Sequence, residues 1–251
     1  MRLLLPLIAA IPVFLAACGG GDETEVPLTG ASASPTAVAS MTAEEHSAVE
    51  AFLKAAALQA EDLPSGLTLA DEKFTTNEDE AEQENILPGA PTAEDLSRWG
   101  RILGYQASYS PEAPSTATGA TVFFQLETNV YQDSKGADKH FEAIRQQPSD
   151  PGFINAFQEE AKAAGGDVRD ASISPMAFAK VGDDRMAFEM RIRAHYTDPD
   201  RELNLVTQDV GIRRGRAIGF ITVVTLDSPS PVQELEDLTR MLDERLKDAL
   251  E

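Results

Sequence analysis

The sequence predicts an α+β domain, a mainly antiparallel sheet covered by helices. Three observations lead there. Met186, Phe188, Met190, Ile192, Ala194 and Tyr196 alternate with Arg185, Glu189, Arg191, Arg193 and His195, the period of a strand with one buried face. The stretches after Thr42 and after Ser230 instead repeat their apolar residues at helical spacing. The expected order is helix, strands, helices, a three-stranded meander and a last helix, and helices segregated from strands point to α+β.

By composition the 251 residues divide into 1–17, 18–41 and 42–251. Met1 and Arg2 form a minimal positive n-region, and Leu3 to Ala17 is uncharged and mostly apolar. The run is too short for a membrane-spanning helix, which needs about 20 residues, and has the length and flanks of a secretory h-region. It ends in Leu15-Ala16-Ala17-Cys18. Cys18 is the only cysteine, so the exported domain cannot close an internal disulfide. Gly19 to Met41 is rich in Gly, Ser, Ala and acids without an apolar period, the composition of a flexible tether.

Leu15-Ala16-Ala17-Cys18 resembles the bacterial lipoprotein lipobox. Leu15 matches the branched apolar position, Ala16 and Ala17 the small ones, and Cys18 the acceptor. The resemblance implies that residues 1–17 are a signal peptide and that Cys18 receives a thioether-linked diacylglycerol and becomes the first mature residue. The membrane is then a partner through the Cys18 lipid, with palmitate-type chains contributing about 0.8 kcal/mol per buried CH₂. Gly19 follows the cysteine, which in a diderm host implies the outer membrane.

The formal net charge is −21. Such a balance argues against nucleic acid and against an electrostatic hold on anionic lipids. Residues 42–251 suffice for a single extracytoplasmic domain with a sizeable core.

That domain opens on a capping box, Thr42 with Glu45, followed by Val49, Phe52, Leu53 and Ala56 at helical spacing. A strand from Leu67 to Phe74 follows, with Leu67, Leu69 and Phe74 inward. The acid-rich stretch Asn77 to Glu84 lacks the spacing of a calcium loop and reads as a solvated loop or helix face. Thr92 opens a short helix through Trp99. Strands follow at Arg101 to Ser110 and Thr121 to Tyr131, the latter with Val122, Phe124, Leu126 and Val130 inward. Asp133 or Ser134 caps the next helix, and Asp150-Pro151 starts another, suited to packing over the sheet edge. Ala171 to Lys180, broken by Pro175, suits an edge strand. Leu203 to Arg213 returns after the alternating strand, and Ala217 to Leu226, apolar on both faces, suits a central one. The last helix has Ser230 as N-cap, Pro231 at N1 and Gln233 at N3, with exposed Glu236–Arg240 and Asp243–Lys247 pairs.

This order resembles the Mog1/PsbP-like fold, which includes lipoproteins of the LpqN type, and in coarse outline the PknH-type kinase sensor domains. The opening helix with Leu63-Pro64-Ser65-Gly66, the Gly182-Asp183-Asp184 turn and the helix from Pro231 carry the resemblance. The disulfides expected of the sensor domains are absent, and no functional residue transfers.

No catalytic residue, metal-ligand set or cofactor motif stands out. His46, His140 and His195 form no metal cluster and read as lone surface histidines. No Gly-x-Ser-x-Gly elbow or phosphate loop occurs. Arg191, Arg193, Arg213, Arg214 and Arg216 concentrate near one hairpin, and arginine forks recognise carboxylate or phosphate. They are candidates for anion or partner docking, set against simple pairing with Glu189, Asp209 and neighbouring acids. The leading function is a non-catalytic, membrane-anchored envelope lipoprotein that binds a protein or small ligand. An extracytoplasmic carboxylate-dependent hydrolase and an accessory assembly subunit of a membrane complex are the alternatives.

Overall fold

The computed structural model describes residues 41–84, 89–113, 115–163, 166–197 and 200–251. Residues 1–40, which hold the lipobox and nearly all of the tether, lie outside them, as do Gly165 and the Asp198-Pro199 turn.

The described elements are α1 (Ala43–Ala56), β1 (Leu67–Thr75), α2 (Asn77–Glu84), α3 (Ala93–Arg98), β2 (Arg101–Pro111), β3 (Thr121–Tyr131), α4 (Ser134–Gln146), α5 (Pro151–Ala163), β4 (Gly166–Pro175), β5 (Asp184–Thr197), β6 (Asp200–Arg214), β7 (Ala217–Leu226) and α6 (Val232–Leu250). The strands form one seven-stranded sheet in the order β1-β2-β3-β7-β6-β5-β4, every neighbouring pair antiparallel. The α+β class stands, and β7 occupies the centre, as its two apolar faces require.

Alternation gives the sheet two different faces. On the first, Tyr105, Tyr109, Phe124, Leu126, Val210, Ile212, Ile221 and Val223 pack with Leu53 and Ala56 of α1 and Leu235, Leu238, Leu242 and Leu246 of α6. Arg245 joins the two helices, donating to the Ala57 carbonyl at 3.3 Å and pairing with Asp62 at 2.6 Å. On the second face α4 lays Phe141 against Tyr131, Ile218 and Met186, while α5 sets Phe153 against Met190. Because β4 is an edge strand, α5 covers the sheet edge.

Several expectations change. β4 runs from Gly166 to Pro175 rather than from Ala171 to Lys180, making the closing meander four-stranded; Pro175 has no N–H to continue the ladder. β1 has a bulge between Leu69 and Asp71, and Leu69 is 48% exposed rather than inward, while Phe74 packs against the core. Another bulge between Thr121 and Phe123 turns Val122 away from Phe124, into a cluster with Phe123, Val224 and Leu226.

The last helix starts at Val232, and no side chain caps it. Buried Gln208 holds its entry instead, donating to the Ser230 carbonyl and accepting from the Ser230 N–H. Asp243 pairs with Arg214 rather than Lys247. His140 is wholly buried against Tyr131 and Trp99 rather than on the surface.

Candidate ligand-binding site

The strand register sets a row of polar residues across the second face. Asp71 pairs with Ser108, Ser108 with Gln125, Gln125 with Thr222, and Thr222 with Asp209. Phe188 of β5 closes the row. Two residues along, the parallel row is Lys73, Gln106, Glu127, Phe220 and Gly211. β3 thus alternates Phe124 and Leu126 toward the apolar core with Gln125, Glu127 and Asn129 on the opposite side.

An outward polar set on such a strand normally meets water. Here it is buried: Gln125 is 4% exposed, Ser108 9% and Asn129 0%. Part of the set is satisfied internally. Asn129 donates to Glu127 at 2.5 Å, and Gln106 donates to the Gln83 side-chain carbonyl at 3.2 Å. Thr222 donates to Asp209. Gln83 Nε2 is buried without a partner. Buried amides and hydroxyls carry a desolvation cost of about 1–3 kcal/mol when unpaired.

The β1 side of the site is braced by α2. Arg101 reaches from β2 to Glu80 at 2.8 Å, to Thr75 Oγ1 at 2.7 Å, to the Thr75 and Thr76 carbonyls at 3.0 Å and to Asn129 Oδ1 at 3.0 Å. Glu80 is therefore buried, contrary to a wholly solvated acidic stretch. Gly104 makes room for this hub: a Cβ there would overlap Arg101, Asn129 and Thr75. On the β6 side, Phe220 lies over Gly211 and stacks on Phe141 at 6.4 Å between ring centroids.

The two rows carry acceptors, neutral donors and one ammonium, that of Lys73. Burial pushes the Asp209 carboxyl up to about 6 against the opposing hydrogen bond from Thr222. Arg213, near this face, lies 3.5 Å from Asp138 and 3.7 Å from Asp183.

The five sequence-selected arginines do not form one patch. Arg191 pairs in register with Val206, whereas Arg213 sits seven residues farther along β6, about 24 Å away. Arg191 pairs with Glu189 at 2.8 Å, and Arg193 lies within 4.0 Å of Asp170 and Glu202. Arg214 forks onto Asp243 of α6 and reaches Asp183 at 3.1 Å, while Arg216 donates to the Tyr131 carbonyl. Asp209 faces away from Arg191 and pairs with none of them. Cys18 lies outside the described residues. Among the described residues, no group of three or more His, Cys, Asp or Glu is placed to hold a metal, and no helix is long and apolar enough to cross a membrane.

No protein family matches the chain, and no curated protein does. Among solved structures, the extracellular domain of PknH from Mycobacterium tuberculosis aligns with 79% of this chain and 96% of its own, at 8% identity and a TM-score of 0.44. An uncharacterized protein from Mycobacterium smegmatis, the Rv0999 ortholog, aligns over the same shares at 12% identity and a TM-score of 0.35.

Sequence reasoning missed Gln83, Gln106, Ser108, Gln125, Glu127, Asp209 and Thr222 as site residues. Polar residues alternating with apolar ones describe a solvated face equally well, so the pattern held no signal for their burial.

Proposed function

We propose that this chain is a lipid-anchored extracytoplasmic binding protein whose second sheet face takes a small polar ligand. The supporting observation is the polar row itself, little exposed at Ser108 and Gln125, with the buried amide nitrogen of Gln83 unpartnered beside it. Folded proteins rarely leave such groups unpaired, and a ligand supplies the missing partners. The lipobox residues support the anchor, with Cys18 as the acylated residue and the membrane as partner.

Native mass spectrometry of the full-length protein, extracted from its envelope in detergent, tests both parts. The expected result is a diacylglyceryl mass on Cys18, lost in Cys18→Ala, and a non-covalent adduct lost in Gln125→Leu. An unmodified Cys18 contradicts the anchor; a bare, correctly folded protein contradicts the binding role.

A carboxylate-dependent hydrolase is the second reading. It draws on Asp209, whose carboxyl burial pushes up to about 6, with Glu127 on the same face. Turnover of a bound ligand that disappears in Asp209→Asn would favour it.

A further inference from the structure

We infer that the open edge of β1 takes an extended, basic segment of a partner protein, which adds to the sheet as a further strand beside Leu67 and Leu69. The inference does not rest on the second-face ligand.

β1 and β4 are the outer strands, and an outer strand turns a row of backbone N–H and C=O groups outward. The two edges differ. β4 ends on Pro175 and is packed by α5. Its acids are neutralised, with Asp167 3.1 Å from Arg169 and Asp170 4.0 Å from Arg193. β1 carries neither charge nor proline from Leu67 to Leu69, before its bulge.

The register shows which groups are open. The Glu112 N–H donates to the Gly66 carbonyl at 3.0 Å, so Gly66 and Glu112 form a hydrogen-bonded pair. Alternation makes Thr68 and Ser110 the next such pair and leaves Leu67 and Leu69 opposite Pro111 and Tyr109 without ladder bonds. Pro111, lacking an N–H, fits that position. The N–H and C=O groups of Leu67 and Leu69 therefore point to the open edge. Leu67 packs against the core of the first face. Leu69, 48% exposed, is the most exposed large apolar side chain among the described residues. An added strand supplies partners to both backbones and an apolar side chain beside Leu69.

Charge selects the partner. Glu61, Asp71, Glu72 and Glu112 are exposed around this edge. Burial, then Glu72, Asp62 and Glu61, raises the Tyr109 phenol above its ordinary range, which places these acids beside the residue opposite Leu69. The nearby cations are committed. Lys54 lies 3.5 Å from Glu72, Arg245 2.6 Å from Asp62, and Lys73 beyond the bulge near Asp79. A segment bearing Lys or Arg completes the balance. A second copy would bring the same acids to the same edge. Residues 18–41 of the chain itself hold Asp22, Glu23 and Glu25 but no Lys or Arg.

Isothermal titration of the full-length protein in detergent tests the inference with three peptides. The first has three valines flanked on each side by two lysines. The second replaces the lysines by glutamates, and the third is the lysine peptide with every backbone nitrogen methylated. Leu69→Pro removes an open-edge N–H without touching the ladder to β2, and Leu69→Lys keeps that N–H but reverses the local charge. Arg191→Ala is the control, and each variant is verified as folded by circular dichroism. The lysine peptide is expected to bind and to slow hydrogen exchange at the Leu67 and Leu69 amides. Binding should weaken about tenfold or more for the other two peptides and for both Leu69 variants, and stay unchanged in the control. Equal binding of the methylated peptide overturns strand addition, and equal binding of the glutamate peptide overturns the basic class. No binding of the lysine peptide, or binding that neither Leu69 variant alters, overturns the β1 site. A dimer in sedimentation that Leu69→Pro abolishes makes the occupant a second copy and overturns the assigned partner.

Discussion

Arg101, Arg214 and Arg191 illustrate three grades of the same side chain. Arg101 has no exposed side-chain surface, and its guanidinium is surrounded by carboxylate, carbonyl and hydroxyl acceptors. Gly104 belongs to that hub, and Gly104→Ala is expected to lower stability by about 1–3 kcal/mol through overpacking, read from the urea midpoint. Arg214 is partly buried and links β6 to α6 through Asp243, so Arg214→Ala should cost about 1–2 kcal/mol. Arg191→Ala, which removes an exposed pair with Glu189, should change stability by less than about 0.5 kcal/mol. Equal losses would contradict this grading. Asp209 carries a pH signature. Its folded value, about 6, lies above the ordinary 3.8, so the folded state keeps the proton longer and stability falls as pH rises from about 4 to about 6. Asp209→Asn is expected to flatten that fall and to stabilise the protein at pH 7.5 by up to about 3 kcal/mol. A parent and variant with parallel stability–pH curves would contradict it.

At the scale of elements, the entry to α6 separates what local sequence specifies from what tertiary contact imposes. Ser230-Pro231 has the composition of a helix start, but buried Gln208 from β6 takes both Ser230 backbone groups. Gln208→Ala should therefore destabilise by about 1–2 kcal/mol, whereas Ser230→Ala should stay within about 0.5 kcal/mol, compared by thermal unfolding. Where capping chemistry is local, it was legible. Thr42 with Glu45 forms the box its spacing predicts, Thr92 opens α3, and Asp133 caps α4. The alternation of β5 was equally legible, with Met186, Met190, Ala194 and Tyr196 buried. Bulges were not, because the extra residue at Ala70 or Val122 leaves no mark in composition while reversing the faces that follow. The arginine group shows the same limit at longer range. Arg191 and Arg213 are near in sequence pattern, and only the register reveals their separation along β6.

For the whole molecule, the sheet divides its labour between faces. The first buries a continuous apolar core under α1 and α6, and the second places a polar row between α2 on one side and α4 and α5 on the other. The α+β class and the central position of β7 were readable because they depend on which residues are apolar. The site was hidden because it depends on polar residues of β2, β3, β6 and β7 becoming neighbours across the sheet. Solution NMR of the side-chain amides tests the central claim most directly. Between the full-length protein extracted with its envelope adduct and the same protein stripped of it by exhaustive dialysis, the Gln125 amide resonances should differ most, followed by those of Gln106 and Gln83. Stationary resonances at all three, with shifts confined to the exposed β4–β5 side around Arg191 and Arg193, would contradict it.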